Sequence, residues 1–254
     1  MKKILAVFLA TAACIALCAC GTVVNPPEQT TTGSKIEKVY EVDGTVLKNC
    51  KGQSDKNGVF VVPDGITEIG EGAFSGDMEI KEVVLHDGIV KIGEGAFYSA
   101  ISLEKVTFGK GLKTIGGGAF QYCESLKTLE LPEGLEEIGA KAFYQCSALK
   151  SISLPSTLKL IDSYAFALCT RLPELTIPDN VSFIGNCAFQ ACWLLTDVTL
   201  PKSLKRLNYQ TFAGCKLLEN INFAKDSALE EIGPYAFWQC KELRKITLPE
   251  GFQR

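Results

Sequence analysis

The chain has 254 residues, 46% of them hydrophobic, with 26 Lys and Arg set against 29 Asp and Glu. A net charge of −3 leaves no basic footprint for nucleic acid. There is one histidine, His86, so any Ser-His-Asp or Cys-His triad must pass through that residue.

Residues 1–19 read as a signal peptide. Lys2 and Lys3 supply the charged start, and Ile4 to Leu17 form an apolar run short for a bilayer span. The run ends Leu17-Cys18-Ala19-Cys20-Gly21, which resembles a bacterial lipoprotein lipobox. That resemblance implies cleavage before Cys20, lipid on the Cys20 thiol, and a protein exported and anchored to the bacterial cell envelope. Several acyl chains would make such an anchor stable, since one alone binds marginally. The alternative is ordinary secretory cleavage. Residues 20–35 then carry the lipidated cysteine and a polar, proline-bearing stretch without period, expected to be a flexible tether. In residues 36–58, apolar and polar residues alternate on either side of Asp43-Gly44, a hairpin signal. This hairpin is expected to cap the open end of the first coil.

Residues 59–254 are one unit copied in tandem. The phenylalanine of an Ala-Phe pair falls at Phe74, Phe97, Phe120, Phe143, Phe166, Phe189 and Phe212 in steps of 23, and at Phe237 after a step of 25 (Thr211 stands in place of the alanine before Phe212). A fixed period of this length marks a stacked array: eight repeats and a partial one. Within a copy, Leu126-x-x-Leu129-x-Leu131 carries the two-residue spacing of a half-buried strand. Pro132 and its equivalents end the pairing, since proline has no N–H to donate. A second apolar pair follows, such as Leu135 and Ile138, then Gly139, whose column is expected to allow a tight bend. The Ala-Phe-x-x-Cys segment is expected to form a single helical turn. One coil alone buries too little to offset the cost of ordering it, so neighbours must share a core. The two residues added between Phe223 and Leu229 belong on a loop. The chain ends partway through a repeat, which fits a fraying coil, an end covered by a partner, or a truncated reading frame.

Leu-x-x-Leu-x-Leu followed by Ile-Gly-x-x-Ala-Phe-x-x-Cys resembles the BspA-type leucine-rich repeat of bacterial surface proteins. The resemblance implies an α/β repeat fold: a right-handed leucine-rich-repeat solenoid with one parallel strand and a short helical turn in each coil of about 23 residues. It also implies surface display and binding or adhesion.

Cys123, Cys146, Cys169, Cys192, Cys215 and Cys240 each follow the phenylalanine by three residues, with Asp77 and Ala100 in the first two copies. Metal sites want local pairs, so these read as buried thiols, and no metal or cofactor is expected. His86 stands where most copies have proline and reads as a turn residue. No acid–base pair or phosphate loop stands out, so no catalytic residue is assigned and the chain is not expected to be an enzyme. The binding candidates are residues that break the polar pattern. Trp193 and Leu194 stand where three other copies hold Glu124-Ser125, Ser147-Ala148 and Thr170-Arg171, and Leu217 occupies the Leu194 column in the next copy. Tyr98, Tyr144 and Trp238 share the column just after the phenylalanine. Outward strand positions, including Glu130, Ser153, Thr176 and Thr199, offer a broad polar face. The expected partner is a protein or a glycan. The alternative is a structural protein that self-associates end to end through its last coil.

Overall fold

The computed structural model describes residues 40–224, 226–250 and 252, together with the backbone of 22–23. The repeat unit builds two parallel strand ladders rather than the single ladder expected. The longer strands are Val59–Val61, Glu82–Val84, Lys105–Thr107, Thr128–Glu130, Ser151–Ser153, Glu174–Thr176, Asp197–Leu200 and Asn220–Phe223. They pair in register one period apart within three consecutive sheets, Val59–Val61 to Lys105–Thr107, Thr128–Glu130 with Ser151–Ser153, and Glu174–Thr176 to Asn220–Phe223, as Thr128 with Ser151 and Glu174 with Asp197. Most bury their central residue, such as Phe60, Val83, Leu129 and Val198, while Ile152 and Ile221 are half-buried. The second ladder comes from the Ile-Gly segments. Its two-residue strands run from Glu68–Ile69 through Lys91–Ile92, Thr114–Ile115, Glu137–Ile138 and Leu160–Ile161 to Phe183–Ile184, again in parallel.

The hairpin joins this second ladder. Glu41–Asp43 pairs antiparallel with Val46–Lys48 around Gly44, and Val46–Lys48 continues in parallel onto Glu68–Ile69. Tyr40 meets Phe60 edge-on at 6.2 Å and covers the start of the core. Thr22–Val23, within the stretch read as a tether, pairs antiparallel with Glu41–Val42. The signal peptide and Cys20 lie outside the described residues.

The core is a single file of rings. Phe74, Phe97, Phe120, Phe143, Phe166, Phe189, Phe212 and Phe237 stack with centroids 4.9 to 5.9 Å apart and planes within 9° of parallel. Aromatic rings favour this spacing when offset. The alanine before most of these phenylalanines lets the backbones approach. Thr211 replaces it in one coil and satisfies its hydroxyl by donating to Asn208 O at 2.9 Å.

The helical turn expected around Ala-Phe does not form, and no helix occurs among the described residues. A helix keeps its amide bonds to itself. Here alternate amides leave for the next coil: Phe74 N donates to Ala96 O at 2.7 Å and Gly76 N to Tyr98 O at 2.7 Å. The amides between them close local turns, as Asp77 N does onto Phe74 O. Two residues per coil turn left-handed to permit this. One set stands two before the phenylalanine, including Gly95, Gly118, Lys141 and Tyr164; the other stands two after, including Ser99, Tyr122, Gln145 and Leu168. This left-handed conformation is costly for residues with a side chain and favours glycine.

The Ile-Gly glycines serve close approach, not a bend. Gly139 has no positive φ, and a Cβ there would stand 2.7 Å from Gly117 N in the preceding coil. Where the column holds Asp162 or Asn208, the side chain bonds instead. Asp162 Oδ1 accepts from Ser163 N at 2.6 Å, and Asn208 Nδ2 donates to Ile184 O at 2.6 Å.

One strand is missing. Leu243-Arg244-Lys245-Ile246-Thr247-Leu248 carries the strand signature yet forms no strand. Between it and Asn220–Phe223 opens a cleft of about 820 Å³, edged by Glu219, Asn222, Arg244 and Lys245.

Candidate functional site

The thiol column is a hydrogen-bonded ladder. Cys123 Sγ donates to Phe97 O at 3.2 Å, Cys146 to Phe120 O at 3.3 Å, and Cys169, Cys192, Cys215 and Cys240 repeat the contact with the coil before. None of the described cysteines is in a disulfide. Burial pushes Cys146, Cys169 and Cys215 well above the ordinary thiol value, and Cys240 up to about 12. Such thiols are poor nucleophiles and poor metal ligands. Among the described residues no group of three or more His, Cys, Asp or Glu is arranged to hold a metal ion.

Asp77 occupies the thiol slot in the first coil and is buried. It accepts from Gly52 N at 2.8 Å, Glu79 N at 2.9 Å and Ile80 N at 3.1 Å, tying the loop after the hairpin to the array. Both ring nitrogens of His86 are occupied by backbone. Nδ1 accepts from Gly88 N at 3.1 Å and Nε2 donates to Pro63 O at 3.0 Å, which fixes the tautomer.

The candidate residues fall on three separate strips. On the longer ladder, Glu130, Ser153 and Thr176 are exposed and Thr199 is half-buried, with Glu130 beside Ser153 and Thr176 beside Thr199. Ion pairs run from coil to coil: Lys105 with Glu82 at 2.7 Å and Lys127 with Glu104 at this ladder, and Lys159 with Glu136 at 2.6 Å beside the Ile-Gly ladder. The lysines hold Glu104 and Glu136 below the usual carboxylate range.

Trp193, Leu194 and Leu217 lie in the turns that lead back to this ladder. All three are exposed, Trp193 by 44%, Leu194 by 46% and Leu217 by 40%. Lys216 Nζ stands 4.6 Å from the Trp193 ring centre, a cation–π contact. Tyr98, Tyr144 and Trp238 stand on the third strip, the edge made by the Ala-Phe turns. They have more company than their column alone suggests. Tyr122 meets Tyr98 edge-to-face at 5.5 Å and Tyr144 at 5.7 Å, and Tyr209 meets Tyr235 at 5.9 Å. The neighbouring Cys187 pushes the Tyr164 hydroxyl above the usual phenol value. The signal for Tyr122, Tyr164, Tyr209 and Tyr235 was present in the sequence. Six of the seven tyrosines fall within three residues of a core phenylalanine, but in four different columns.

Residues 45–172 and 136–254 match the family model described as BspA type leucine rich repeat region, in six copies. The chain belongs to the BspA-type leucine-rich repeat family. Among solved structures it is similar to the leucine-rich repeat protein of T. pallidum, at 26% identity and TM-score 0.58, covering 79% of this chain and 83% of that one. It shares its fold with a leucine-rich cell surface protein of Faecalibacterium prausnitzii, at 20% identity and TM-score 0.50, covering 89% of this chain and 84% of that one. No curated protein matches the sequence. The BspA-type repeat is thus a parallel solenoid, a fold commonly used to bind proteins. No helix among the described residues is long and apolar enough to cross a membrane.

Proposed function

We propose that this BspA-type protein is a non-catalytic binding module, held at the bacterial surface by lipid on Cys20, that takes its partner on the outside of the solenoid. The observation that carries the reading is the exposed Trp193–Leu194–Leu217 patch, which sets an aromatic ring where Glu124, Ser147 and Thr170 stand in three other coils and Met78 and Ile101 in the first two. Large aromatic anchors ringed by aliphatic groups are where binding energy concentrates. The outward row through Glu130, Ser153, Thr176 and Thr199 extends the surface such a partner can cover. Pull-down from whole surface extracts, followed by crosslink mapping, tests it. Trp193→Ala with Leu217→Ser is expected to weaken capture of the mapped protein at least tenfold while the circular dichroism spectrum is unchanged. Undiminished capture sinks the patch. Labelling with radioactive palmitate, lost in Cys20→Ala, tests the anchor.

A second reading rests on Asn220–Phe223, which pairs with Asp197–Leu200 on one side and with no described strand on the other. An open strand edge is a template for another chain, so self-association is the alternative. Light scattering over a hundredfold range of concentration separates the two readings. A constant monomer mass removes this one.

A further inference from the structure

The tyrosine edge differs in kind from the rest of the surface. Take the six residues from three before to two after each phenylalanine, in the seven coils from Phe97 to Phe237. Of these forty-two residues, two are charged, Glu94 and Lys141, in a chain that is 22% charged. Charge instead gathers on the strand ladders, where it is paired from coil to coil. The edge holds the six tyrosines, Trp238, and six side-chain amides: Gln121, Gln145, Asn186, Gln190, Gln210 and Gln239. Three of the rings are well exposed, and Tyr122, Tyr144 and Tyr164 are half-buried. Tyr98 is 40% exposed, Tyr209 42% and Tyr235 60%.

Simple packing of the turns does not explain this composition. The turn itself is made by backbone bonds that run through Ala, Gly, Ser and Gln in other copies, and the core beneath is already closed by the phenylalanine file. What a row of neutral rings and amides can do is bind a neutral, hydroxyl-rich chain. The negative face of an aromatic ring attracts the C–H face of a sugar. An amide can donate and accept at once, which suits neighbouring hydroxyls. No charge has to be stripped of water without a counter-charge, which an ionic ligand on this edge would require. The spacing also agrees: coils repeat at ~4.8 Å, about the length of one pyranose ring.

We propose that the edge from Tyr98 to Tyr235 is a binding rail for a neutral polysaccharide lying along the solenoid axis, its sugars stacked on Tyr122, Tyr144 and their neighbours. This goes beyond the protein-contact patch and rests only on the reading that the outside of the solenoid binds. Trp193 and Leu217 take no part in it.

The test is affinity electrophoresis of the full chain through gels containing galactomannan, xyloglucan or glycogen, with polygalacturonate and poly-L-proline gels beside them. At least one neutral polysaccharide is expected to retard the chain, with oligosaccharide affinity rising with length over several sugars. Tyr122→Ala with Tyr144→Ala is expected to cut retardation at least tenfold, while Tyr122→Phe with Tyr144→Phe, which keeps the rings, cuts it far less. Trp193→Ala with Leu217→Ser should leave it unchanged, so failure of the rail and failure of the protein patch read out separately. If the double alanine variant loses its melting transition, Tyr98→Ala, at an exposed ring, takes its place. Retardation only by polygalacturonate, only by poly-L-proline, or by none overturns the proposal, as does retardation indifferent to the tyrosines.

Discussion

A buried thiol that donates to a carbonyl of the coil before it cannot ionise cheaply. Burial raises the folded pKa of Cys123, Cys146, Cys169 and Cys215 above the unfolded value, and that of Cys240 to about 12. The neutral thiol is therefore the folded form, and its contribution is fully present below the unfolded thiol value of about 8.5. It is lost as pH rises beyond that, at up to about 1.4 kcal/mol per thiol per pH unit. Melting temperature measured under reducing conditions is expected to be level up to pH 8 and to fall steeply by pH 11. Replacing the six ladder cysteines by alanine should lower stability at pH 7 and flatten that alkaline fall. Asp77 works in the opposite sense, as an acceptor. Asp77→Ala strands the amides of Gly52, Glu79 and Ile80 and is expected to cost about 3 kcal/mol in urea unfolding. Asp77→Cys restores the residue of the later coils and should not rescue it, because a thiol offers a donor where three donors already point. The thiol column was legible as buried from its spacing. Its hydrogen bonds were not, since they reach twenty-six residues back to a carbonyl that sequence does not display.

At the scale of the element, the two ladders differ in how plainly they are written. The longer strands follow from alternation around Leu129 and its equivalents. The Ile-Gly strands are two residues long, too brief for a period to register, and only stacking makes them strands. The Ala-Phe turn misled for a related reason. Its local pattern suits a helical turn, but alternate amides find better partners in the next coil. Gly139 shows the same coil-to-coil crowding. Gly139→Val drives side-chain atoms into Gly116 and Gly117 and is expected to cost about 3 kcal/mol. Gly139→Asn should cost less, because Asn208 fits that column by bonding the coil before it. In the file of rings, Phe143 lies 5.2 Å from Phe120 and 5.1 Å from Phe166. Phe143→Ala opens a void between two rings and is expected to cost about 4 kcal/mol by urea unfolding.

For the whole molecule, stability is a sum over neighbouring coils, so length can change where register cannot. Removing residues 124–146, one period of 23, joins Cys123 to Ser147 and preserves every column. That chain is expected to fold and melt cooperatively a few degrees lower. Removing 124–134 puts leucine columns against polar ones and should abolish the transition. The same columns decided how much of the site could be read in advance. Trp193, Leu194 and Leu217 stood out because they break a column. The tyrosine edge did not, because its members belong to different columns and meet only when the turns stack.

The bonds that join coil to coil all run along one axis, in the two ladders and in the turns between them. A pull applied between the ends therefore opens rungs in succession instead of shearing them together. Each coil released pays out its contour, about 80 Å for 23 residues, less the ~4.8 Å it occupied. Stretched between a cell and whatever it holds, such a molecule would lengthen in even steps of about 75 Å at low force, yielding gradually where a globular linker would snap.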